Sequence, residues 1–229
     1  MIDKEYIEAE LEKRKITRLC HFTKFSKLLH MMELKEITAT DFIDDDILDV
    51  NDKERKDGHK DYICCTVQYP NTWYLSKAKE RDSVFVDWVI LFIDPRYMMR
   101  STTLFSCRNA ASGNGQFLER GYRGFMKMFA QSVQGKSTFV RNKGMIPACP
   151  TDGQAEVLIY KSISLAHVLA IGGCSSENIK HYLAAISRLN SGFKIPWIVC
   201  PDLFSNKWHE MTRKGKRPEE IIYTGVKSK

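Results

Sequence analysis

The chain of 229 residues lacks the long apolar run that a membrane-spanning helix requires. Its longest apolar stretch, residues 84–93, is short and is interrupted by Asp87, so it predicts a buried strand. The N-terminus alternates acidic and basic residues and carries no apolar signal region. We therefore expect no export, no membrane partner and a cytoplasmic location.

The cysteines do not form the pattern of a disulfide framework, because there are seven of them and none belongs to a CxxC pair. This usage favours free thiols in a reducing compartment. The Cys20-His21 pair could suggest metal ligands, but no second pair has the spacing of a zinc site. We expect no metal.

Common catalytic signatures are also missing. The chain has no GxxxxGKS or GxxxxGKT motif and no GxSxG motif, and no predicted strand directly precedes the glycines at 113–115. These absences disfavour P-loop, Rossmann and serine-hydrolase functions. Without an internal repeat or a low-complexity linker, residues 1–229 are predicted to form one domain. The helix at 1–16 and the basic tail at 205–229 are possible appendages.

Hydrophobic spacing predicts an α+β fold with central mixed or antiparallel sheets flanked by helices, since helices and short strands do not alternate strictly. Helices are predicted over residues 3–14, 24–36, 117–132 and 176–190, the last with Ser175 or Ser176 as N-cap. Strands are predicted over residues 17–22, 62–69, 87–94, 155–160, 166–172 and 196–200. Residues 37–61, 101–116 and 133–153 are predicted to be largely loop.

Positive charge is concentrated in one part of the chain, the basic segment of residues 96–150. It carries nine basic residues and a single acidic one, Glu119. A localised basic stripe suits a polyphosphate ligand or a nucleic acid, and a solvated basic face is the structural alternative. Charge alone does not choose between these two interpretations.

The first motif with candidate chemistry is CHFT, residues 20–23. Strand alternation places His21 and Thr23 on one face and Phe22 on the other. Taken singly, this motif is also compatible with a core histidine that hydrogen bonds to a backbone carbonyl.

Two further motifs carry a possible arginine and a possible carboxylate of an active site. Arg55 lies among acidic residues in NDKERKDG, which could equally be a solvated loop. Glu156 stands at the head of the strand in QAEVL, directly after the turn signal of residues 150–153. An exposed glutamate at a strand end is the alternative for this motif.

In this order and spacing, the motifs resemble the ADP-ribosyltransferase fold and, within it, the DarT family of DNA ADP-ribosyltransferase toxins. The resemblance runs over about residues 17–172 and includes YICCTVQYPN, WVILFIDP and RNAA. The ND, DG, PN and NAA elements look closest to the guanine-modifying branch. Lys27 and Glu33 depart from the family pattern, which commonly has Asn and Gly at these places.

The resemblance implies NAD as co-substrate and Glu156 and Arg55 as catalytic residues. The carboxylate would stabilise the positive charge that develops on the ribose as the nicotinamide bond breaks. Arg55 would face the NAD phosphates or help to manage the proton that leaves the target base. The NAD-binding residues implied in this way are His21, Phe22, Thr23, Asn51 and Arg55.

The resemblance also makes residues 133–153 the substrate loop, since they lead directly into Glu156. Single strands would be preferred because their bases can be splayed out and stacked on aromatic rings. Basic side chains would contact the phosphates. The implied nucleic-acid-binding residues are Arg120, Arg123, Arg141, Lys143 and Gln154.

The expected function is therefore transfer of ADP-ribose from NAD to a nucleobase, guanine in the branch with the closest motifs, in single-stranded DNA. The resemblance implies a toxin of a toxin–antitoxin or phage-defence system, and an antitoxin partner such as a macrodomain ADP-ribosyl hydrolase. The same chemistry on RNA, which would block translation, stays open, as do an NAD glycohydrolase and an RNA 2′-phosphotransferase. The alternative of another class is a non-catalytic nucleic-acid-binding domain on a degenerate transferase fold.

Overall fold

A computed structural model describes residues 2–43, 57–81, 87–135, 137–188 and 194–225 of the chain. The helices in this part are α1 (Ile2–Arg14), α2 (Phe25–Leu34), α3 (Thr72–Arg81), α4 (Gly121–Lys127), α5 (Ser176–Ser187) and α6 (Lys207–Arg213). Ser175 is the N-cap of α5, where its Oγ accepts a hydrogen bond from the backbone N–H of Asn178 at 3.2 Å. None of the described helices is long and apolar enough to cross a membrane.

The strands are β1 (Leu19–Lys24), β2 (Glu36–Thr38), β3 (Tyr62–Val67), β4 (Trp88–Ile93), β5 (Leu104–Ser106), β6 (Leu118–Arg120), β7 (Ser132–Val133), β8 (Phe139–Val140), β9 (Glu156–Tyr160), β10 (Ser162–Ser164), β11 (Val168–Gly173), β12 (Trp197–Val199) and β13 (Ile221–Ile222). Nine of them form a sheet in the order β13-β12-β11-β4-β1-β3-β9-β5-β6. Its pairs are antiparallel except β11 with β12. The predicted α+β fold is confirmed.

The centre of the sheet is built on β4, whose sequence WVILFI is buried at all six positions. A continuous run of β-branched, aromatic and leucine residues suits a strand that is covered on both faces, where an alternating pattern would leave one face polar. This strand pairs with all six residues of β1, so that His21 lies opposite Leu91 and Thr23 opposite Val89. The CHFT motif therefore lies in the middle of the sheet.

On its other side, β1 pairs with β3 only at its first two residues. Leu19 lies opposite Val67 and Cys20 opposite Thr66, and no later residue of β1 is in register with β3. The two strands separate beyond Cys20, whereas β3 continues in register with β9. A cleft thus opens in the sheet at the CHFT motif.

Several elements differ from the sequence prediction. Residues 117–132 form β6 followed by α4 instead of one helix, because Gly121 takes a left-handed φ of 72° at which the chain turns between the two elements. The predicted loops contain β2, β5 and a hairpin of β7 and β8. These strands are two or three residues long and show no periodicity of their own, since they form by pairing with their neighbours.

Both ends of the described chain pack against the sheet. In α1, Ile7 and Leu11 are buried, whereas Tyr6 is 55% exposed and lies beside Tyr122. At the other end, β13 pairs with β12 at the sheet edge.

The C-terminal segment is fastened by a bidentate ion pair between Arg18 and Glu220. The two guanidinium nitrogens Nη1 and Nη2 donate to the carboxylate at 2.6 and 2.5 Å. The Nε–H of Arg18 also donates to the Gln68 carbonyl at 2.8 Å, and its guanidinium lies 4.0 Å from the centroid of the Phe92 ring. Arg18 is 8% exposed, so loss of its partner would leave a buried charge without compensation.

We expect Glu220→Gln to lower the free energy of unfolding by about 3 kcal/mol, the low end of the range for breaking a buried pair, because Glu220 itself is only partly buried. Urea denaturation followed by circular dichroism measures this difference. Glu219→Gln is the matched control, since Glu219 is the exposed neighbour in sequence. Equal stability of the two variants would show that the ion pair contributes nothing.

Candidate active site

A cavity of about 450 Å³ occupies the cleft between β1 and β3. This volume lies in the range of sites that bind small molecules and cofactors. The lining residues come from β1, α2, β2, β3, α3, the start of β9 and the loops next to Glu156. Those used below are His21, Phe22, Thr23, Lys27, Asp57, Cys64, Asn71, Asn109 and Glu156.

His21 bridges the two strands where they separate. Its Nδ1 lies 2.8 Å from the carbonyl oxygen of Cys64 in β3. Because a carbonyl oxygen only accepts hydrogen bonds, Nδ1 must carry the proton in this contact. The backbone contact and the cavity-lining position therefore occur together, so the histidine is fixed in orientation beside the cavity.

Thr23 and Phe22 also line the cavity, as the NAD-binding prediction requires, although strand alternation placed them on opposite faces. The Thr23 side chain is fully buried, and its Oγ1 has no hydrogen-bond partner among the described residues. A buried hydroxyl without a partner is uncommon in folded proteins and indicates a ligand-facing group when it borders a cavity. The Phe22 ring packs against Tyr74 and Trp88, with centroids 6.0 and 5.9 Å away.

Glu156 lies at the edge of this cavity and is 7% exposed, so the alternative of an exposed strand-end glutamate is wrong. Its Oε2 accepts a hydrogen bond from the backbone N–H of Ala110 at 2.7 Å. Its Oε1 accepts from the side-chain amides of Asn109 at 3.1 Å and Asn71 at 3.5 Å. Hydrogen bonds from such donors favour the ionised carboxylate over its protonated form and hold it in one orientation.

Two separate parts of the chain bring these donors to Glu156. Asn71 precedes α3, where its Oδ1 caps the helix by accepting from the backbone N–H of Tyr74 at 3.2 Å and leaves Nδ2 for the carboxylate. Asn109 and Ala110 follow β5, which pairs with β9 so that Ser106 lies opposite Glu156. These residues belong to the PN and NAA elements of the sequence, from which no function of theirs was predicted.

The turn before Glu156 is braced by its own polar groups. Oδ1 of Asp152 accepts from the Gln154 N–H at 2.9 Å, and its backbone oxygen accepts from the Ala155 N–H at 3.0 Å. Burial raises the pKa of the Asp152 carboxyl. Gly153 packs against two rings, since a Cβ there would lie 2.7 Å from His209 and 3.0 Å from Trp73.

His209 is a neutral ring in this packing. Burial, and then the neighbouring charge of Arg213, lowers its pKa to about 4. An uncharged imidazole can therefore pack edge-on against the Trp73 ring, at 4.8 Å between centroids, without the cost of burying a charge.

The structure does not reach every predicted site residue. Asn51 and Arg55 lie outside the described residues, and their functions stay predictions. From the same motif, Asp57 is described: it is 7% exposed, lines the cavity and accepts from the His59 N–H at 3.2 Å. Of the two departures from the family pattern, Lys27 lines the cavity, whereas Glu33 is exposed.

Arg141, predicted to contact nucleic acid, is already hydrogen-bonded within the protein. Its guanidinium donates to the carbonyls of Cys149, Ile146 and Pro147 at 2.7, 3.2 and 3.1 Å. These bonds brace the loop of residues 133–153 internally and involve both Nη groups. Binding of nucleic acid by Arg141 stays a prediction.

The other predicted nucleic-acid residues differ in how far they are already paired. Arg123 is 81% exposed in its side chain and lies 3.2 Å from Glu119. Arg120 and Lys143 are exposed and have no ion pair among the described residues. Gln154 is half-buried beside the turn that leads to Glu156. Nucleic-acid binding by these four residues stays a prediction.

Comparison with known proteins is consistent with this geometry. The family model described as "ssDNA thymidine ADP-ribosyltransferase, DarT" matches residues 20–205. No curated protein matches the chain in sequence.

Solved structures share the fold at low identity. Thermus sp. 2.9 DarT in complex with NAD+ is 12% identical, with a TM-score of 0.60 over 82% of this chain and 98% of that one. The same protein in complex with ADP-ribosylated ssDNA is 11% identical, with a TM-score of 0.57 over 83% of this chain and 97% of that one. Thermosipho africanus DarTG in complex with ADP-ribose is 16% identical, with a TM-score of 0.55 over 82% of this chain and 51% of that one.

Fold and family match together define an NAD-dependent ADP-ribosyltransferase. The chain belongs to the DarT family, because the family model matches well over half of its length. The resemblance inferred from CHFT, NDKERKDG and QAEVL is thereby confirmed, as are the ADP-ribosyltransferase-like fold and NAD as co-substrate. The cavity fits this co-substrate, since the buried Thr23 hydroxyl and the oriented His21 ring both border it.

We expect Asn109→Ala to reduce NAD turnover about tenfold or more, because hydrogen bonds to charged groups contribute about 1.5–3 kcal/mol. Rates of nicotinamide release at neutral pH measure this effect. Asn178→Ala on α5 is the control, and a wild-type rate in Asn109→Ala would show that Glu156 does not depend on this donor.

Proposed function

We propose that this protein transfers ADP-ribose from NAD to a nucleobase of single-stranded DNA, and that the base is guanine. The observation that carries the proposal is the carboxylate of Glu156, fixed by three donors at the edge of a cavity that His21 and Thr23 also line. A non-catalytic domain would have no use for a buried carboxylate of this kind. The family description, which names single-stranded DNA, supports the choice of polymer.

In this proposal, the bond between nicotinamide and the ribose C1′ breaks, and the bonding electrons leave with nicotinamide. Positive charge develops on the ribose, and the carboxylate of Glu156 stabilises it and polarises a ribose hydroxyl. A nucleobase atom then bonds to C1′, and the proton of the base leaves. Because the carboxylate is already oriented, little reorganisation is needed when the charge appears.

The NAD-binding assignments follow the motifs. His21, Phe22 and Thr23 would hold the nicotinamide and its ribose, because they line the cavity beside Glu156. Asn51 would join them, and Arg55 would face the diphosphate or help to manage the departing base proton. Arginine suits a diphosphate because its planar fork donates hydrogen bonds in pairs.

The choice of guanine rests on the resemblance of the PN and NAA elements to the guanine-modifying branch. Asn71 and Asn109, the asparagines of these elements, are the residues that contact Glu156. The family model names thymidine, so a thymine acceptor is the alternative that the experiment must separate.

We infer further that the activity is toxic to its host, is used in phage defence and is neutralised by an antitoxin protein. The support is the family resemblance and the fold shared with Thermosipho africanus DarTG. A macrodomain that removes ADP-ribose would suit such an antitoxin, because it would reverse the modification.

The test is incubation of the full chain with NAD and short DNA oligonucleotides that contain a single guanine or a single thymine, alongside the matching RNAs. Mass spectrometry should show a gain of one ADP-ribose on the guanine-containing DNA. Glu156→Gln should lower this transfer about 100-fold or more, the scale of removing one preorganised electrostatic group. Glu80→Gln is the control, since Glu80 is exposed on α3.

Each other outcome changes a defined part of the proposal. Transfer to thymine alone would replace the base, and transfer to RNA alone would replace the polymer. Nicotinamide release without transfer to any acceptor would indicate an NAD glycohydrolase. Undiminished turnover in Glu156→Gln would move the catalytic site elsewhere.

A further inference from the structure

Many cations of the basic segment already have partners in the protein. Arg96 lies 2.8 Å from Asp94, and Glu119 pairs with both Arg123 and Lys127. Arg141, as described above, is occupied by carbonyls of the substrate loop. The excess of positive charge in the sequence therefore overstates the number of cations that can bind a phosphate.

Arg108 stands apart from these cations. It is half-buried, yet it has no ion pair among the described residues. Its guanidinium lies 4.8 Å from the centroid of the Phe117 ring, and its Nη1 donates to the carbonyl of Gln134 at 2.8 Å. The ring and the carbonyl hold the group in place. Its charge opposes the rise in the pKa of Asp152 that burial causes, but the two side chains do not form an ion pair.

The backbone of the substrate loop lies close to this guanidinium. A Cβ at Gly135 would lie 2.5 Å from Nη2 and 2.9 Å from Cζ of Arg108, so a larger residue there would require the Arg108 side chain to shift. Nε and Nη2 have no hydrogen-bond partner among the described residues, and these donors are therefore available to a ligand. A guanidinium that is already oriented loses little conformational entropy when it binds a planar anion.

Arg108 lies directly beside a residue that holds Glu156, but outside the cavity. The next residue, Asn109, lines the cavity and contacts Glu156, whereas Arg108 is not among the lining residues. The side chain of Arg108 instead meets the substrate loop at Gln134, and that loop leads into Glu156. With NAD in the cavity, groups that bind an acceptor strand would have to lie outside it, as Arg108 does.

We propose that Arg108 binds a phosphate of the acceptor strand next to the modified base and so orients that base towards Glu156. This inference rests on the proposed function, because it assumes a nucleic-acid acceptor. The donors Nε and Nη2 of the planar fork match two phosphate oxygens, and no described carboxylate forms an ion pair with this guanidinium. Arg108 is then a binding residue for the acceptor, which the sequence analysis did not assign.

The experiment compares wild type, Arg108→Ala and Arg108→Lys as full chains, with Arg96→Ala as the matched control. Arg96 is an exposed arginine of the same segment that is already paired with Asp94. One readout is the salt dependence of binding to a fluorescent mixed-sequence single-stranded DNA without NAD. The other is the ratio of ADP-ribose transfer to NAD hydrolysis on the same DNA.

We expect the log–log salt slope to become less steep by about 0.7 in Arg108→Ala, the value for one phosphate contact on a single strand. The transfer-to-hydrolysis ratio should fall about tenfold in this variant. Arg108→Lys keeps the charge and therefore the slope, but it loses the bidentate geometry, so its ratio should also fall. Arg96→Ala should match wild type in both readouts.

An unchanged slope in Arg108→Ala would overturn the proposal, and so would equal losses of transfer and hydrolysis, which indicate a purely structural effect through Asn109. Weaker binding confined to strands with one particular base would show that Arg108 reads a base edge instead. If Arg108→Ala fails to fold, as judged by circular dichroism, an unchanged ratio in Arg108→Lys overturns the proposal. Salt-dependent binding without any transfer by wild type would overturn the proposed function and leave the Arg108 contact standing.

Discussion

The active site depends on one feature of the sheet, the point at which β1 separates from β3. A continuous ladder between the two strands would place the CHFT motif in a closed core and leave no space for a ligand. The separation after Cys20 instead opens a cavity within the rigid centre of the sheet. The contact from His21 to the Cys64 carbonyl spans the gap and replaces part of the missing ladder. The site thus gains the rigidity of a sheet without losing access.

The position of Glu156 follows from a second constraint, the cost of burying a carboxylate in an apolar strand. Such a group must be given hydrogen-bond donors, and the fold supplies them from the cap of α3 and from the loop after β5. The pairing of β5 with β9 therefore matters for the candidate site, because it fixes the distance between that loop and the carboxylate. The main contribution of β5 and β9 is to position the loop after β5 beside the carboxylate, and the area that these short strands bury is less important.

The sequence indicated the candidate groups for the chemistry but not the groups that hold them. Glu156, His21 and Thr23 could be proposed as site residues because each is a polar residue in a short strand-like motif, and strand periodicity is local. Asn71 and Asn109 act on Glu156 only after capping and strand pairing, which no local pattern encodes. The burial of β4 was predictable from its unbroken apolar run, whereas β5 has no signal apart from its partner.

The same distinction applies to the basic segment. The spacing of four between Glu119 and Arg123 could have indicated an ion pair within the predicted helix of residues 117–132; the pair forms, although Glu119 lies in β6 and Arg123 in α4. The hydrogen bonds of Arg141 to three carbonyls depend on how the loop of residues 133–153 folds back on itself, and composition cannot show them. Counting charges therefore does not tell which cations of the basic segment are already paired within the protein.

The substrate loop also depends on a part of the chain beyond the family match, which ends at residue 205. The Ile146 N–H donates to the carbonyl of Thr212 at 3.0 Å, and the Arg213 guanidinium donates to the carbonyl of Val140 at 2.9 Å. Thr212 and Arg213 both belong to α6. This segment is itself fastened by the ion pair between Glu220 and Arg18, the residue directly before the strand β1 that carries the CHFT motif. The C-terminal segment thus connects the loop that leads into Glu156 to the strand that lines the cavity, although none of its described residues lines the cavity.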